Sequence, residues 1–213
     1  FFITRDGKIL DKIKNGTFYM GNGGKNLATT IQKTLEDILF EELDKYDTQI
    51  PLVVTGGCAL NVIINEKIKD RYKREVYVPP NPHDGGLSLG HMFCYQKPKE
   101  RVNVTYNGLP LLDRDKLKDY DTKKVTKKDI ARLLKDGKII GLIYGDSEVG
   151  PRALGNRSIV CDPSITEMKD ILNSKVKHRE SYRPFAPFCK KEDAHKYFES
   201  RDFENMEYMS FAV

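Results

Sequence analysis

Residues 50–86 read IPLVVTGGCALNVIINEKIKDRYKREVYVPPNPHDGG. The continuous apolar run PLVV ends in two glycines, and a helix signal, CALNVIINEKIKDRY, begins directly after them. A second short apolar run, EVYVPP, then leads into another glycine-rich loop and the helical stretch LSLGHMFCYQ. Unbroken apolar runs of this length suit strands buried on both faces, and their alternation with helices predicts a mostly parallel α/β sheet.

Working outward, residues 25–46 place Leu27, Ile31, Leu35, Ile38, Leu39, Leu43 and Tyr46 at steps of three and four. That spacing predicts a helix with one apolar stripe packed in a core. Before it, Asp6-Gly7 between two apolar stretches predicts a hairpin over 1–20. Residues 97–124 lose periodicity and turn polar, which reads as a linker between domains. A second unit begins near Val125 with the helix TKKDIARLLKDGK, stopped at Gly137. The strand IIGLIYG, the segment GDSEVGPRALGN, the strand RSIVCDP and the helix ITEMKDILNSKVKH follow.

Composition narrows the function. The 213 residues carry a net charge of +5 without any long Lys/Arg run, which favours small anionic partners over nucleic acid. Four widely spaced cysteines without a CxxC pair read as reduced thiols of a cytoplasmic protein. No apolar run approaches the roughly 20 residues of a membrane-spanning helix. The chain has no initial Met and ends on the apolar YMSFAV, so a piece truncated at both ends is expected.

Candidate chemistry sits at strand ends. Gly56 and Gly57 at a strand-to-helix turn predict free backbone N–H groups suited to an anion, although any tight turn favours glycine there. His83 and Asp84 end the next strand, so both glycine loops are expected at one crevice. There Asp84 either meets a metal or caps the following helix. The second unit gathers Glu148, Arg152, Asn156 and Arg157 in one loop and Lys175, Lys177, His178, Arg179 and Arg183 in another. Guanidinium groups match phosphate oxygens through paired hydrogen bonds, so Arg152 and Arg183, each beside a proline, are expected to meet a polyanionic ligand. The competing reading is surface salt bridging aided by Glu148 and Glu180, favoured for Lys175. For His178, phosphate contact and structural hydrogen bonding stand level.

These residues bring a family resemblance. EVGPRALGNRSIVCDP and KVKHRESYRPFAPF resemble the C-terminal signatures of the NodU/CmcH-type O-carbamoyltransferases, and VVTGGCALNVIINEKI with VPPNPHDGGLSLG resembles the end of that family's N-terminal domain. The resemblance spans about residues 25–190. It implies that residues 1–96 are the C-terminal part of an actin/sugar-kinase-like (ASKHA) carbamoyl-transfer domain, 97–124 a linker, and 125–213 an incomplete YrdC-like domain. In such enzymes carbamoyl phosphate and ATP form carbamoyl adenylate with loss of phosphate and pyrophosphate, and a hydroxyl of a small-molecule acceptor then attacks its carbonyl.

Carried over by motif, Gly56, Gly57 and Asn61 match the nucleotide-contacting loop. Asp84 matches the aspartate of a metal site, usually iron, completed by two histidines of an HxxxH motif. Glu148, Asn156, Arg157, Lys177 and Arg179 fall to substrate and nucleotide binding, and Arg152, Arg183 and His178 to catalysis. Mg2+ is expected on ATP. The resemblance is compatible with a homodimer and implies neither a membrane nor a nucleic-acid partner. Two departures stand out: no HxxxH occurs, the histidines being at 83, 91, 178 and 195, and Asp146 stands where the family often has arginine. Related readings are an enzyme of tRNA threonylcarbamoylation or hydrogenase maturation, and a non-catalytic nucleotide-binding module.

Overall fold

The computed structural model describes residues 22–46, 49–100, 102–199 and 206–212. The hairpin expected over 1–20 lies outside them. The chain divides into one unit of Phe1–Pro51 with Ile68–Glu75 and a second of Leu52–Lys67 with Val76–Val213.

In the first unit, helix α1 (Asn22–Leu43) covers most of the expected span. Its stripe is less buried than its spacing suggests, with Ile31 and Ile38 more than half exposed and Glu36 the buried residue. Periodicity reports an apolar face but not what covers it. The end of α1 is fastened by Asp44, which accepts from Arg71 Nη2 at 2.6 Å and from the Tyr72 hydroxyl at 2.7 Å. Arg71 also lies 5.0 Å from the Phe40 ring centroid, an orientation that adds cation–π attraction.

In the second unit, β1 (Leu52–Val53) and β2 (Val76–Tyr77) pair in parallel, Leu52 opposite Val76 and Val53 opposite Tyr77. The short 3₁₀ turn Gly57–Leu60 and helix α2 (Val62–Tyr72) lie between the two strands in sequence, as a parallel connection requires. Val76 and Val78 are buried, and Ile64 on α2 is 1% exposed. Asn65, equally buried, donates Nδ2 to the carbonyls of Ala59 and Ser210, each at 2.8 Å. After β2 comes the turn Asp84–Gly86, then α3 (Leu87–Gln96).

Helix α4 (Lys127–Lys135) begins on a reciprocal cap, Thr126 and Asp129 each bonding the other's backbone N–H. It stops at Gly137, whose φ of +74° is easily reached by glycine. Strands β3 (Ile140–Ile143) and β4 (Arg157–Val160) then pair antiparallel, Ile140 opposite Val160 and Ile143 opposite Arg157. The parallel pairing expected of the first two strands thus holds for β1 and β2, while the second pair, for which the sequence predicts no direction, runs antiparallel. The 144–156 connection contains no helix, the usual element of a crossover between parallel neighbours. Helix α5 (Met168–Ile171) passes into a wider π turn at Leu172–Val176 that buries Leu172 and Asn173.

The polar segment read as a linker carries order. Its 105–111 portion runs beside residues 145–149 through Val149 N–H to Thr105 O, Gly108 N–H to Ser147 O, Ser147 N–H to Leu109 O and Leu111 N–H to Gly145 O, at 2.8–3.1 Å. Thr105 is 2% exposed. Polar composition conceals this pairing because it is made by main-chain groups.

Candidate functional site

The two glycine loops meet. Beyond the β1–β2 ladder, Gly56 N–H and the Thr55 hydroxyl both donate to Pro82 O, at 2.7 and 2.9 Å. One of the N–H groups expected to face an anion is therefore used to join the loops. Gly57 opens the 3₁₀ turn, and Asn61 accepts from Ile64 N–H at 3.2 Å at the start of α2. The cap at the second loop falls to His83, whose Nδ1 accepts from Gly85 N–H at 2.9 Å, while Asp84 stands exposed. Asp84 is therefore not the capping group. The His83 ring reaches the N–H two residues on, which the capping preference for aspartate does not anticipate.

The 144–156 loop is closed by one carboxylate. Glu148, 6% exposed, accepts through Oε1 from the N–H groups of Asn156 at 2.7 Å, Leu154 at 2.9 Å and Arg157 at 3.0 Å. Burial raises the Glu148 carboxyl pKa, but these N–H groups and its own together outweigh it and hold the group below the usual carboxylate value. Asn156 adds a bond from Nδ2 to Asp146 O at 2.7 Å, and Tyr144 N–H donates to Asn156 O at 2.8 Å. From the 105–111 strap, the Tyr106 hydroxyl donates to Leu154 O at 3.1 Å. Gly150, at φ +129°, comes so close to Pro80 that a Cβ there would sit 2.3 Å from its carbonyl oxygen.

That closure brings Arg152 to a narrow cleft of about 10 Å³, walled by Ala59, Leu60, Pro80, Pro82, Tyr208 and Ser210. A neighbouring cavity of about 180 Å³ shares Pro80 and Tyr208 and adds Tyr77, Asn103 and Thr105. Binding pockets for drug-sized molecules run from about 300 Å³ upward, so this volume suits a small ligand. The Arg152 side chain has no hydrogen-bond or ion-pair partner among the described residues.

The second basic loop is more occupied. Arg183 Nε pairs with Glu180 at 2.7 Å, both half exposed. Arg179 donates Nε to Asn173 Oδ1 at 2.7 Å and Nη2 to Pro184 O at 3.2 Å, with its guanidinium 4.5 Å from the Phe185 centroid. These bonds make Arg179 a brace of its own loop. Lys177 and Lys175 are exposed, and exposed His178 holds a left-handed φ of +48°.

Among the described residues, no three His, Cys, Asp or Glu side chains are grouped to hold a metal ion. Exposed Asp84 alone does not make such a site, so the residues present do not fit a resident metal. All four cysteines are free thiols, and no helix among the described residues is long and apolar enough to cross a membrane.

Several contributors escaped sequence reasoning. Asn65 carried a signal, a polar residue flanked by Ile64 and Ile68 on the apolar side of α2. Tyr106, Tyr208 and Ser210 lie in polar or short stretches where no spacing marks them.

Comparison with known proteins bears on the same segments. The model of the carbamoyltransferase N-terminus matches residues 9–92, and that of the carbamoyltransferase C-terminus matches residues 131–213. Nodulation protein NolNO of Sinorhizobium fredii is 35% identical over 212 residues, 89% of this chain and 31% of its own. Nodulation protein NolO of Bradyrhizobium diazoefficiens is 35% identical over 211 residues, 89% of this chain and 38% of its own. An uncharacterized protein of Methanocaldococcus jannaschii is 36% identical over 175 residues, 73% and 33% of the two chains. The chain thus spans about a third of the length of these curated relatives. With both regions matched in order around the joined glycine loops and the Arg152 loop, the chain belongs to the carbamoyltransferase family.

Proposed function

We propose that the protein is an ATP-dependent O-carbamoyltransferase. In this reading residues 1–96 belong to an actin/sugar-kinase-like transfer domain and 125–213 to a YrdC-like domain. Water hydrolyses carbamoyl phosphate to carbamate and phosphate, the carbamate oxygen then attacks the α-phosphorus of ATP, and pyrophosphate leaves. The carbamoyl adenylate formed is then attacked at its carbonyl by an acceptor hydroxyl, releasing AMP and the hydroxyl proton.

The observation that carries this reading is Arg152, a guanidinium without a partner among the described residues, on a loop closed by Glu148 at a cleft walled by Ala59, Leu60, Pro80 and Pro82. Two anions must approach each other in the first step. Arg152 offsets that repulsion and stabilises charge that develops in the transfer. The adjoining cavity suits a ligand of the size of carbamoyl phosphate. Arg157 and Lys177, exposed and free of side-chain partners among the described residues, supply further positive charge for the ATP phosphates, which bring Mg2+ with them, and His178 offers a hydrogen bond. Arg183 joins them by exchanging Glu180 for the ligand. Gly57 and Asn61 serve the nucleotide side. Asp84 matches a metal-site aspartate by motif, and the described residues group no further ligands with it. The setting is cytoplasmic, and the assembly a homodimer.

The test is carbamoyl-phosphate-dependent exchange of labelled pyrophosphate into ATP by the full-length protein. Exchange that requires carbamoyl phosphate is expected. Exchange that instead requires threonine and bicarbonate, or none at all, overturns the reading.

A further inference from the structure

We infer that Glu148 is a positioning residue, which holds the 149–156 loop closed through three backbone N–H groups and thereby sets Arg152 at the cleft wall. This rests on the anion-site reading of Arg152 given above.

A carboxylate in a loop with two arginines would ordinarily be expected to pair with one of them. Glu148 pairs with neither. Its Oε1 is taken by Leu154, Asn156 and Arg157 N–H groups, and its Oε2 is buried without a donor among the described residues. Arg152 is four residues along the same loop and has no partner among them. The two arginines of the other basic loop behave differently, Arg183 being engaged by Glu180 and Arg179 by Asn173 and Pro184. Glu148 therefore engages the main chain through Oε1 and leaves the guanidinium to an outside anion.

Other contacts hold the loop on either side of Arg152. Leu154 is gripped from both sides, its N–H by Glu148 and its carbonyl by the Tyr106 hydroxyl. Gly150 abuts Pro80 at the cleft wall, and Gly155 N–H reaches Ser158 Oγ at 3.1 Å. Arg152 lies between these anchors. Removing the carboxylate frees the three N–H groups at the loop's return, and the position of Arg152 is then averaged over an opened loop.

The experiment compares Glu148→Ala, Arg152→Ala and the double variant of the full-length protein, with inorganic pyrophosphate as the calorimetric probe and amide exchange as a ligand-free readout. In Glu148→Ala the amides of Leu154, Asn156 and Arg157 should exchange faster. Pyrophosphate Kd should rise roughly tenfold in each single variant, and the double variant should bind no more weakly than Arg152→Ala alone. Glu148→Gln, whose amide oxygen still accepts, should recover most of the affinity. Additive losses in the double variant, or faster amide exchange in Glu148→Ala with unchanged Kd, would overturn the inference. Unchanged Kd in Arg152→Ala overturns the anion site itself, a separate failure. Should Glu148→Ala not fold, Tyr106→Phe removes one grip on Leu154 from an exposed ring. Its smaller rise in Kd should vanish in the Arg152→Ala background, and a rise that persists there overturns the inference.

Discussion

At the scale of single residues, Glu148 carries a consequence for acid stability. Its carboxyl titrates below the ordinary value of 4.5 in the folded chain, because four backbone N–H groups outweigh the burial that raises it. A depressed folded value means that the ionised form stabilises the fold. That contribution is complete above the unfolded pKa, near 4.5, and disappears as pH falls through the lower folded value. Urea unfolding of the wild type and Glu148→Gln at pH 7 and pH 3 should therefore show a larger acid loss in the wild type. Equal losses would assign the acid sensitivity to other carboxylates. Gly150 makes a second single-residue prediction. Both its φ of +129° and the 2.3 Å approach of a Cβ to Pro80 O oppose any side chain. Gly150→Ala should cost about 2 kcal/mol or more in urea unfolding, and a neutral result would mean that this close approach does not exist.

At the scale of elements, α4 shows where sequence reading succeeds. The Thr126 start and Gly137 stop are local chemistry, written within a few residues, and the structure places the helix between them. Thr126→Ala should lower stability by about 1 kcal/mol, measured by thermal or urea unfolding, since it removes one half of the reciprocal cap. No change would show that water replaces the hydroxyl without loss. Strands β1 and β2 were legible for the same reason, as apolar runs bounded by glycine and proline. The direction of β4 was not, because a run such as RSIV says nothing of which neighbour it meets. The strap at 105–111 was hidden too, since its bonds are made by backbone groups that no side-chain pattern reports. The stripe on α1 had the right period, yet spacing is silent on burial, and Ile31 and Ile38 are exposed.

At the scale of the whole molecule, the two motif-bearing halves of the sequence contribute to one cleft within the second unit. The glycine loops are joined at Pro82, and the GPRALGN loop reaches them through Gly150 and Arg152. The placement of the glycine loops at adjacent strand ends made their common crevice readable, but not that the GPRALGN loop joins it. Motif order and spacing did not separate arginines that brace a loop from one left to a ligand, because Arg152, Arg179 and Arg183 look alike in sequence. Only the placement of Asn173 and the Pro184 carbonyl around Arg179, and of Glu180 beside Arg183, draws that distinction. The most direct measurement is carbamoyl-phosphate-dependent pyrophosphate–ATP exchange by full-length Arg152→Lys beside the wild type. Lysine keeps the charge but not the paired hydrogen bonds, so exchange should fall by at least roughly tenfold. Exchange at the wild-type rate would contradict the claim that Arg152 binds the reacting anion.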